Sequence, residues 1–164
     1  MARIFIAIRF NDDVKNTFVN IQNALRTKGV RGNYCHYNNL HLTLAFIGEK
    51  YDLQNIYKAV SEVTFKPFTM TLGELGTFPT KTGVIWCGIK EKEPITTVAN
   101  KLHERLAAND VGFSAMTFYP HISLVRQPST IVTDIDVPET SITIDRLFVM
   151  KSERIDGELV YSEI

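Results

Sequence analysis

Hydrophobic positions along the chain recur with two different periods, and these periods predict its secondary structure. Residues 3–10 form a short apolar run rich in Ile and Phe, which predicts a buried strand. After Asn11 the apolar residues recur at helical spacing, so Asn11 is expected to cap a helix that Gly29 ends. The apolar stripe of this helix consists of Val14, Phe18, Ile21 and Leu25.

The remaining chain continues with strands and amphipathic helices. A second helix is predicted after Asp52, and a third has Pro94 in its first turn, where a missing N–H is tolerated. Strands are predicted over residues 33–37, 41–47, 67–75, 83–90, 121–126, 141–151 and 157–163. This order indicates an α+β fold, with the helices outside a largely antiparallel sheet.

Composition narrows the class of protein. The chain has 164 residues, 45% of them hydrophobic, and shows no linker, so residues 1–164 are predicted to form a single bilobal domain. Lys+Arg and Asp+Glu both number 18, which argues against a basic field for long duplex nucleic acid but is compatible with capture of one terminal phosphate.

The cysteines and the N-terminal run bear on the compartment. Cys35 and Cys87 have no metal-ligand spacing, so neither a disulfide framework nor a zinc ribbon is predicted. Arg9 interrupts the first apolar run, which is too short for a signal peptide or a membrane span. We therefore expect a cytoplasmic protein with no membrane association.

A short pattern that occurs twice carries the candidate chemistry. Residues 41–44 read His-Leu-Thr-Leu, and residues 121–124 read His-Ile-Ser-Leu. In an extended strand, each histidine and hydroxyl would share one face while both aliphatic residues are buried on the other. One histidine in a strand is more often an ordinary hydrogen-bonded residue. A second copy with the same offset, in an equally apolar strand, favours one shared site.

Two imidazoles can divide acid–base work, since histidine titrates near neutral pH with a pKa of about 6.5. Phosphodiester hydrolysis needs an activated water, a protonated leaving oxygen and stabilised phosphoryl oxygens. His41 and His121 would supply the first two, and the hydroxyls of Thr43 and Ser123 the third, with Arg126 as a charged fork just past the strand. No cluster of carboxylates flanks either histidine, so neither a metal nor another cofactor is expected.

Aromatic residues near the motifs are candidates for stacking on a nucleobase. Phe46 follows Leu44 by two positions and therefore belongs on the leucine face, in the core, unless the strand bends or bulges. If it reaches the cleft, it could stack on a base, a role for which Tyr34, Tyr37 and Tyr119 compete.

These motifs resemble the two-histidine phosphoesterase superfamily, and specifically its RNA 2′,3′-cyclic phosphodiesterase branch, also called 2′-5′ RNA ligases. Residues 39–48 are similar to the first motif block of that branch and residues 119–126 to the second, with Ser123 in place of the usual threonine. Further similar segments follow in the same order at residues 3–8, 76–79, 84–88 and 152–157, with Tyr161 near the end. The resemblance covers nearly the whole chain.

The resemblance implies two lobes, each with an antiparallel sheet flanked by helices, around a central cleft that binds a cyclic phosphate without a metal. By position, His41 and His121 match the catalytic pair, while Thr43, Ser123 and Arg126 match phosphate-binding residues. The implied reaction opens a 2′,3′-cyclic phosphate, on an RNA 3′ end or a small nucleotide, to a 2′-phosphomonoester. Weak reversible 2′-5′ ligation is implied as a second activity.

Several alternatives stay open from the sequence. The substrate could be a 2′-5′ oligoadenylate or a cyclic ADP-ribose phosphate, or the chain could be a nucleotide-binding module without turnover. Our assignment has His121 activate water and His41 protonate the leaving ribose oxygen, and these roles exchange if the in-line geometry is reversed. Residues 34–39 depart from the tryptophan and proline-rich approach common in the family, so base preference is left unassigned. We expect a monomer.

Overall fold

The computed structural model describes residues 2–49, 51–78, 83–114 and 116–164. Within them it contains nine strands, three α-helices and a 3-10 turn at Tyr37–Asn39. The strands are β1 Arg3–Arg9, β2 Asn33–Tyr34, β3 His41–Gly48, β4 Phe68–Thr77, β5 Val84–Ile89, β6 His121–Arg126, β7 Ser141–Ile144, β8 Phe148–Ile155 and β9 Glu158–Glu163. The helices are α1 Asp12–Thr27, α2 Leu53–Ser61 and α3 Lys92–Ala108.

The strands form two antiparallel sheets, which confirms the predicted α+β class. One sheet has the order β3-β1-β8-β9, and the other has the order β2-β6-β5-β4-β7. β3 and β6 contact each other across the junction of the sheets. The two strands that carry the histidine motifs therefore meet at one seam.

The helix starts follow the predicted capping chemistry. The side chain of Asn11 accepts a hydrogen bond from the backbone N–H of Val14 at 3.0 Å. Asp52 caps α2 in the same way through the N–H groups of Gln54 and Asn55. Pro94 is the third residue of α3, inside its first turn.

Both sheets and all three helices contribute to one continuous hydrophobic core. Its fully buried members include Phe18 of α1, Leu42 of β3, Leu72 of β4, Leu102 of α3 and Leu124 of β6. In each motif strand the aliphatic residues therefore point into this core and leave the opposite face to the histidine and hydroxyl. None of the described helices combines the length and the apolar character needed to span a bilayer.

Two predicted strands differ in the structure. The strand expected over residues 33–37 is limited to β2, because the chain turns at Tyr37–Asn39, where the N–H of Asn39 donates to the carbonyl of His36. The run over residues 141–151 is two strands: β7 pairs with β4 and β8 pairs with β1, in different sheets. β7 alternates as Ser-Ile-Thr-Ile, whereas β8 begins with three apolar residues in a row, and neither pattern specifies the partner strand. Residues 79–82, between β4 and β5, lie outside the described residues, and they include the last residue of the family-like segment 76–79.

Candidate active site

The two motif strands sit in ladders with matching registers. β3 pairs with β1 so that Arg9 faces His41 and Ala7 faces Thr43. β6 pairs with β5 so that Gly88 faces His121 and Trp86 faces Ser123. Each sheet thus holds one half of the site, and the strand pairing around the two halves is equivalent.

Each motif strand also carries a bulge just after its hydroxyl residue. Along β1 the partners of Ile6 and Ala7 are Ala45 and Thr43, so β3 advances two residues while β1 advances one. The partners of Ile85 and Trp86 on β6 are Val125 and Ser123, which is the same shift. After each bulge the alternation of faces is reversed.

The bulges decide where residues 46 and 126 point. Leu44 and Ala45 are both buried, and Phe46, which follows them, is 52% exposed and lines the cleft with His41. Arg126 stands at the equivalent position of β6 and lines the same cleft. The expectation that Phe46 packs in the core was therefore wrong, because β3 contains a bulge that turns this residue into the cleft.

Backbone carbonyls fix the orientation and the tautomer of both histidines. Nδ1 of His41 lies 2.6 Å from the carbonyl oxygen of Asn39, and Nδ1 of His121 lies 2.7 Å from that of Tyr119. A carbonyl can only accept, so Nδ1 carries the hydrogen in each ring and Nε2 is left as the base. The hydroxyl of Thr43 lies 2.7 Å from Nε2 of His41, to which it donates when the ring is neutral.

The hydroxyls of the two motifs differ in the ligand-free protein. Thr43 is engaged by His41, whereas the Ser123 hydroxyl has no hydrogen-bond partner among the described residues. Ser123 can therefore donate to an incoming anion without first breaking a bond. Thr43 becomes available when Nε2 of His41 gains a proton and no longer accepts.

Burial and positive charge disfavour the protonated form of both rings in the absence of ligand. Burial lowers the pKa of His41 to about 4, with smaller contributions in the same direction from Arg126 and His121, against the Asn39 hydrogen bond. Burial also lowers the pKa of His121, again with Arg126 acting in the same direction and the Tyr119 hydrogen bond opposing it. Because one guanidinium acts on both rings, His41, His121 and Arg126 share one electrostatic neighbourhood, where an anion would raise both histidine pKa values.

Aromatic rings enclose each imidazole. Phe5 and Tyr161 lie 4.9 Å and 5.2 Å from His41 between ring centroids, while Phe78 and Trp86 lie 4.8 Å and 6.1 Å from His121. Sequence reasoning did not single these residues out for the site. Phe5 belongs to a strand that is apolar on both faces, so no alternation marked its cleft side.

The cleft beside His41 has a volume of about 700 Å³. Its lining combines aromatic and charged side chains with a few small ones. These residues are Ala2, Arg3, Phe5, His41, Phe46, Glu49, Arg126, Ser152, Glu153, Arg154, Leu159 and Tyr161. Among the described residues, no three His, Cys, Asp or Glu side chains come together as metal ligands.

The tyrosine candidates lie in different places. Tyr119 flanks His121, where it packs on Phe78 and Trp86. The ring of Tyr34 instead lies under the Arg26 guanidinium at 3.9 Å and lines a separate depression at the end of α1. Tyr37 donates its hydroxyl to Asp12 at 2.6 Å. The structure thus brings Phe46 and Tyr119 to the histidines, and holds Tyr34 and Tyr37 in other contacts.

A sequence profile described as the 2′-5′ RNA ligase superfamily matches residues 14–156. The chain belongs to this superfamily. Among relatives in the 2′-5′ RNA ligase superfamily, an RNA 2′,3′-cyclic phosphodiesterase of Archaeoglobus fulgidus is 36% identical over 109 residues, which are 63% of this chain and 61% of that protein. The chain thus matches less than two thirds of that relative. An RNA 2′,3′-cyclic phosphodiesterase of Thermotoga maritima is 28% identical over 163 residues, 92% of this chain and 86% of that protein.

Solved structures of LigT share the fold. Apo LigT of Escherichia coli superposes with a TM-score of 0.84 at 25% identity, covering 99% of this chain and 94% of LigT. LigT complexed with phosphate superposes with a TM-score of 0.76 at 25% identity, covering 99% and 93%. The resemblance drawn from the motif blocks is confirmed, as is the implied fold of two antiparallel sheets with helices.

Proposed function

We propose that this member of the superfamily is an RNA 2′,3′-cyclic phosphodiesterase, which opens the cyclic phosphate to a 2′-phosphomonoester. The observation that carries the proposal is the pair of fixed imidazoles beside Arg126, each with Nδ1 tied to a carbonyl and Nε2 left for chemistry. The names of the relatives support the substrate class, and the phosphate complex of LigT supports an anion-binding cleft in this fold.

In this mechanism the two rings act in opposite protonation states. Neutral His121 accepts a proton at Nε2 as the water oxygen forms its bond to phosphorus. Protonated His41 gives its proton to O3′ as the P–O3′ bond breaks, and the phosphate stays on O2′. The bound anion raises the pKa of His41, so the ring takes up from solvent the proton that it lacks in the ligand-free protein.

The other polar groups act on the phosphoryl oxygens. Ser123 donates its free hydroxyl, and Thr43 does so once His41 is protonated, while the Arg126 guanidinium balances the negative charge that builds up in the transition state. Phe46 provides an exposed ring on which the terminal base stacks. When a 5′-hydroxyl takes the place of water and bonds to phosphorus as the P–O3′ bond breaks, the same groups give a 2′-5′ linkage, and the reverse of this step cleaves it.

We also propose that residues 1–164 act as one bilobal, monomeric unit in the cytoplasm. The continuous core between the sheets supports a single unit. Both cysteines are free thiols, and burial raises the pKa of Cys35 to about 11 and that of Cys87 to about 12, so neither is poised as a thiolate.

The test compares His41→Ala and His121→Ala with His36→Ala as a matched control. His36 is exposed and faces Glu158 at 3.9 Å. Each motif variant should lose about 10²–10⁴-fold in kcat on a 2′,3′-cyclic nucleotide, whereas the control keeps the wild-type rate. Phosphorus NMR should identify a 2′-phosphomonoester. Near-native turnover in either motif variant would contradict the proposal, as would tight nucleotide binding by the wild type without any product.

A further inference from the structure

The cleft does not end at Phe46. It continues along the exposed face of the four-stranded sheet toward the far end of β1 and β8. The register explains why: Phe46 pairs with Phe5, and Arg3 lies two residues further along β1 on the same face. Ser152 pairs with both Arg3 and Tyr161. Its polar side chain is therefore placed between the aromatic side chains of the cleft and the outer end of the cleft.

Arg3 and Arg154 provide most of the positive charge at this outer end. Arg154 lies two residues after Ser152 and so shares its face, and its guanidinium donates to the carbonyl of Gly157 at 3.1 Å. Among the described residues, no carboxylate pairs with Arg154. Arg3 pairs with the carboxylate of Glu49 at 3.3 Å, and both side chains are exposed.

The second carboxylate in the lining is already balanced. Glu153 pairs with Lys151 at 3.2 Å. The Arg3–Glu49 contact is a single exposed ion pair, a type that contributes little to stability, so a phosphate can replace the carboxylate. This end of the cleft is therefore suited to a second anion, some distance from the one between the histidines.

We propose that Arg3, Ser152 and Arg154 form a second phosphate subsite, which binds the phosphate on the 5′ side of the terminal nucleoside. This inference rests on the proposed function, because it takes the cyclic phosphate to lie at the histidines and the terminal base to stack on Phe46. Arg3 lies on the strand next to that of Phe46, offset by two residues along it. Each residue of a strand adds about 3.4 Å to this offset. Guanidinium groups bind phosphate through paired N–H donors. The enzyme thereby favours an RNA end over a bare nucleoside 2′,3′-cyclic phosphate.

The test uses three substrates that differ only on the 5′ side. They are adenosine 2′,3′-cyclic phosphate, the same compound with a 5′-phosphate, and the adenylyl-(3′→5′)-adenosine dinucleotide ending in a 2′,3′-cyclic phosphate. For the wild type, kcat/KM should be at least about tenfold higher for the two substrates with a 5′-side phosphate. This ratio should fall as salt concentration rises, because exposed charges are screened.

The variant Arg3→Gln/Arg154→Gln should bring the ratio close to one. Lys58→Gln/Lys66→Gln removes the same charge from exposed positions on and after α2 and should keep the wild-type ratio. Thermal unfolding of both double variants verifies that they are folded. A wild-type ratio near one, or an unchanged ratio in the arginine variant, would overturn this inference alone. Failure of the wild type to hydrolyse any of the three substrates would instead overturn the proposed function.

Discussion

The carbonyl oxygen of Asn39 lies 2.6 Å from Nδ1 of His41, and the side chain of Asn39 is itself held by β9. Its Nδ2 donates to the carbonyl of Leu159 at 2.9 Å, and its Oδ1 accepts from the N–H of Tyr161 at 3.3 Å. The buried carboxamide thus fastens the turn before β3 to a strand near the end of the chain. It fixes both the acceptor that orients His41 and the strand that places Tyr161 against the ring.

Asn39→Ala should therefore impair His41 as well as the fold. Loss of the carboxamide leaves two partly buried backbone groups unpaired, so the free energy of unfolding should fall by about 1–3 kcal/mol. Because the His41 acceptor is then held less firmly, kcat should fall more than KM changes, and the pH profile of kcat should shift. Asn39→Asp keeps the oxygen that accepts from the N–H of Tyr161, so its stability and kcat should lie between those of the wild type and of Asn39→Ala. A purely structural role would lower stability and leave the kcat pH profile of the folded variant unchanged.

The features that could be predicted from the sequence depend on interactions between neighbouring residues. Asn11 and Asp52 indicate where their helices begin, because a capping side chain accepts hydrogen bonds from N–H groups two or three residues later. The histidine and hydroxyl of each motif share a face because a strand has a period of two. These local rules were enough to place His41 and His121 on the polar face of buried strands.

The rest depended on contacts between distant segments. The bulge that turns Phe46 and Arg126 into the cleft arises in the pairing of β3 with β1 and of β6 with β5, and no residue of the motifs signals it. Tyr161 reaches His41 only because β9 joins the same sheet through β8. The division of residues 141–151 between two sheets is likewise a choice of partners, which alternation cannot reveal.

Removal of the charge of Arg126 should change both histidines at once. The guanidinium lowers the pKa of His41 and of His121, so Arg126→Gln should raise both pKa values in the ligand-free protein. It should also weaken binding of inorganic phosphate. Titration of the imidazole carbon-bound protons by NMR, with phosphate binding measured at constant ionic strength, checks both effects. Arg105→Gln on α3 serves as the control, and histidine pKa values equal to those of the wild type in Arg126→Gln would contradict the shared electrostatic neighbourhood.

The lowered pKa of His41 should make stability depend on pH. The folded pKa of about 4 lies below the ordinary value near 6.5, so the unfolded chain binds the proton more tightly. The contribution is complete above about pH 6.5 and is lost as pH falls toward 4. Between pH 7.5 and 5 it should amount to about 2 kcal/mol. Urea unfolding of wild type and His41→Gln at both pH values isolates it, and an equal pH dependence in the two proteins would show that His41 titrates normally.

Trp86 pairs with Gly76 across β4 and β5, with its ring beside the glycine, and this contact should be needed for the position of His121. A Cβ added at Gly76 would clash with the indole ring, which also packs on Phe78 and lies 6.1 Å from His121. Gly76→Ala should therefore force the indole to move, lower the free energy of unfolding by about 1–3 kcal/mol and reduce kcat. Trp86 is the chain's one tryptophan, so its fluorescence reports the displacement directly. Gly112→Ala, where an added Cβ meets nothing within 4 Å, is the matched control. If the two alanine variants are equally stable and have the same fluorescence, the indole has room for the added Cβ and the predicted clash is wrong.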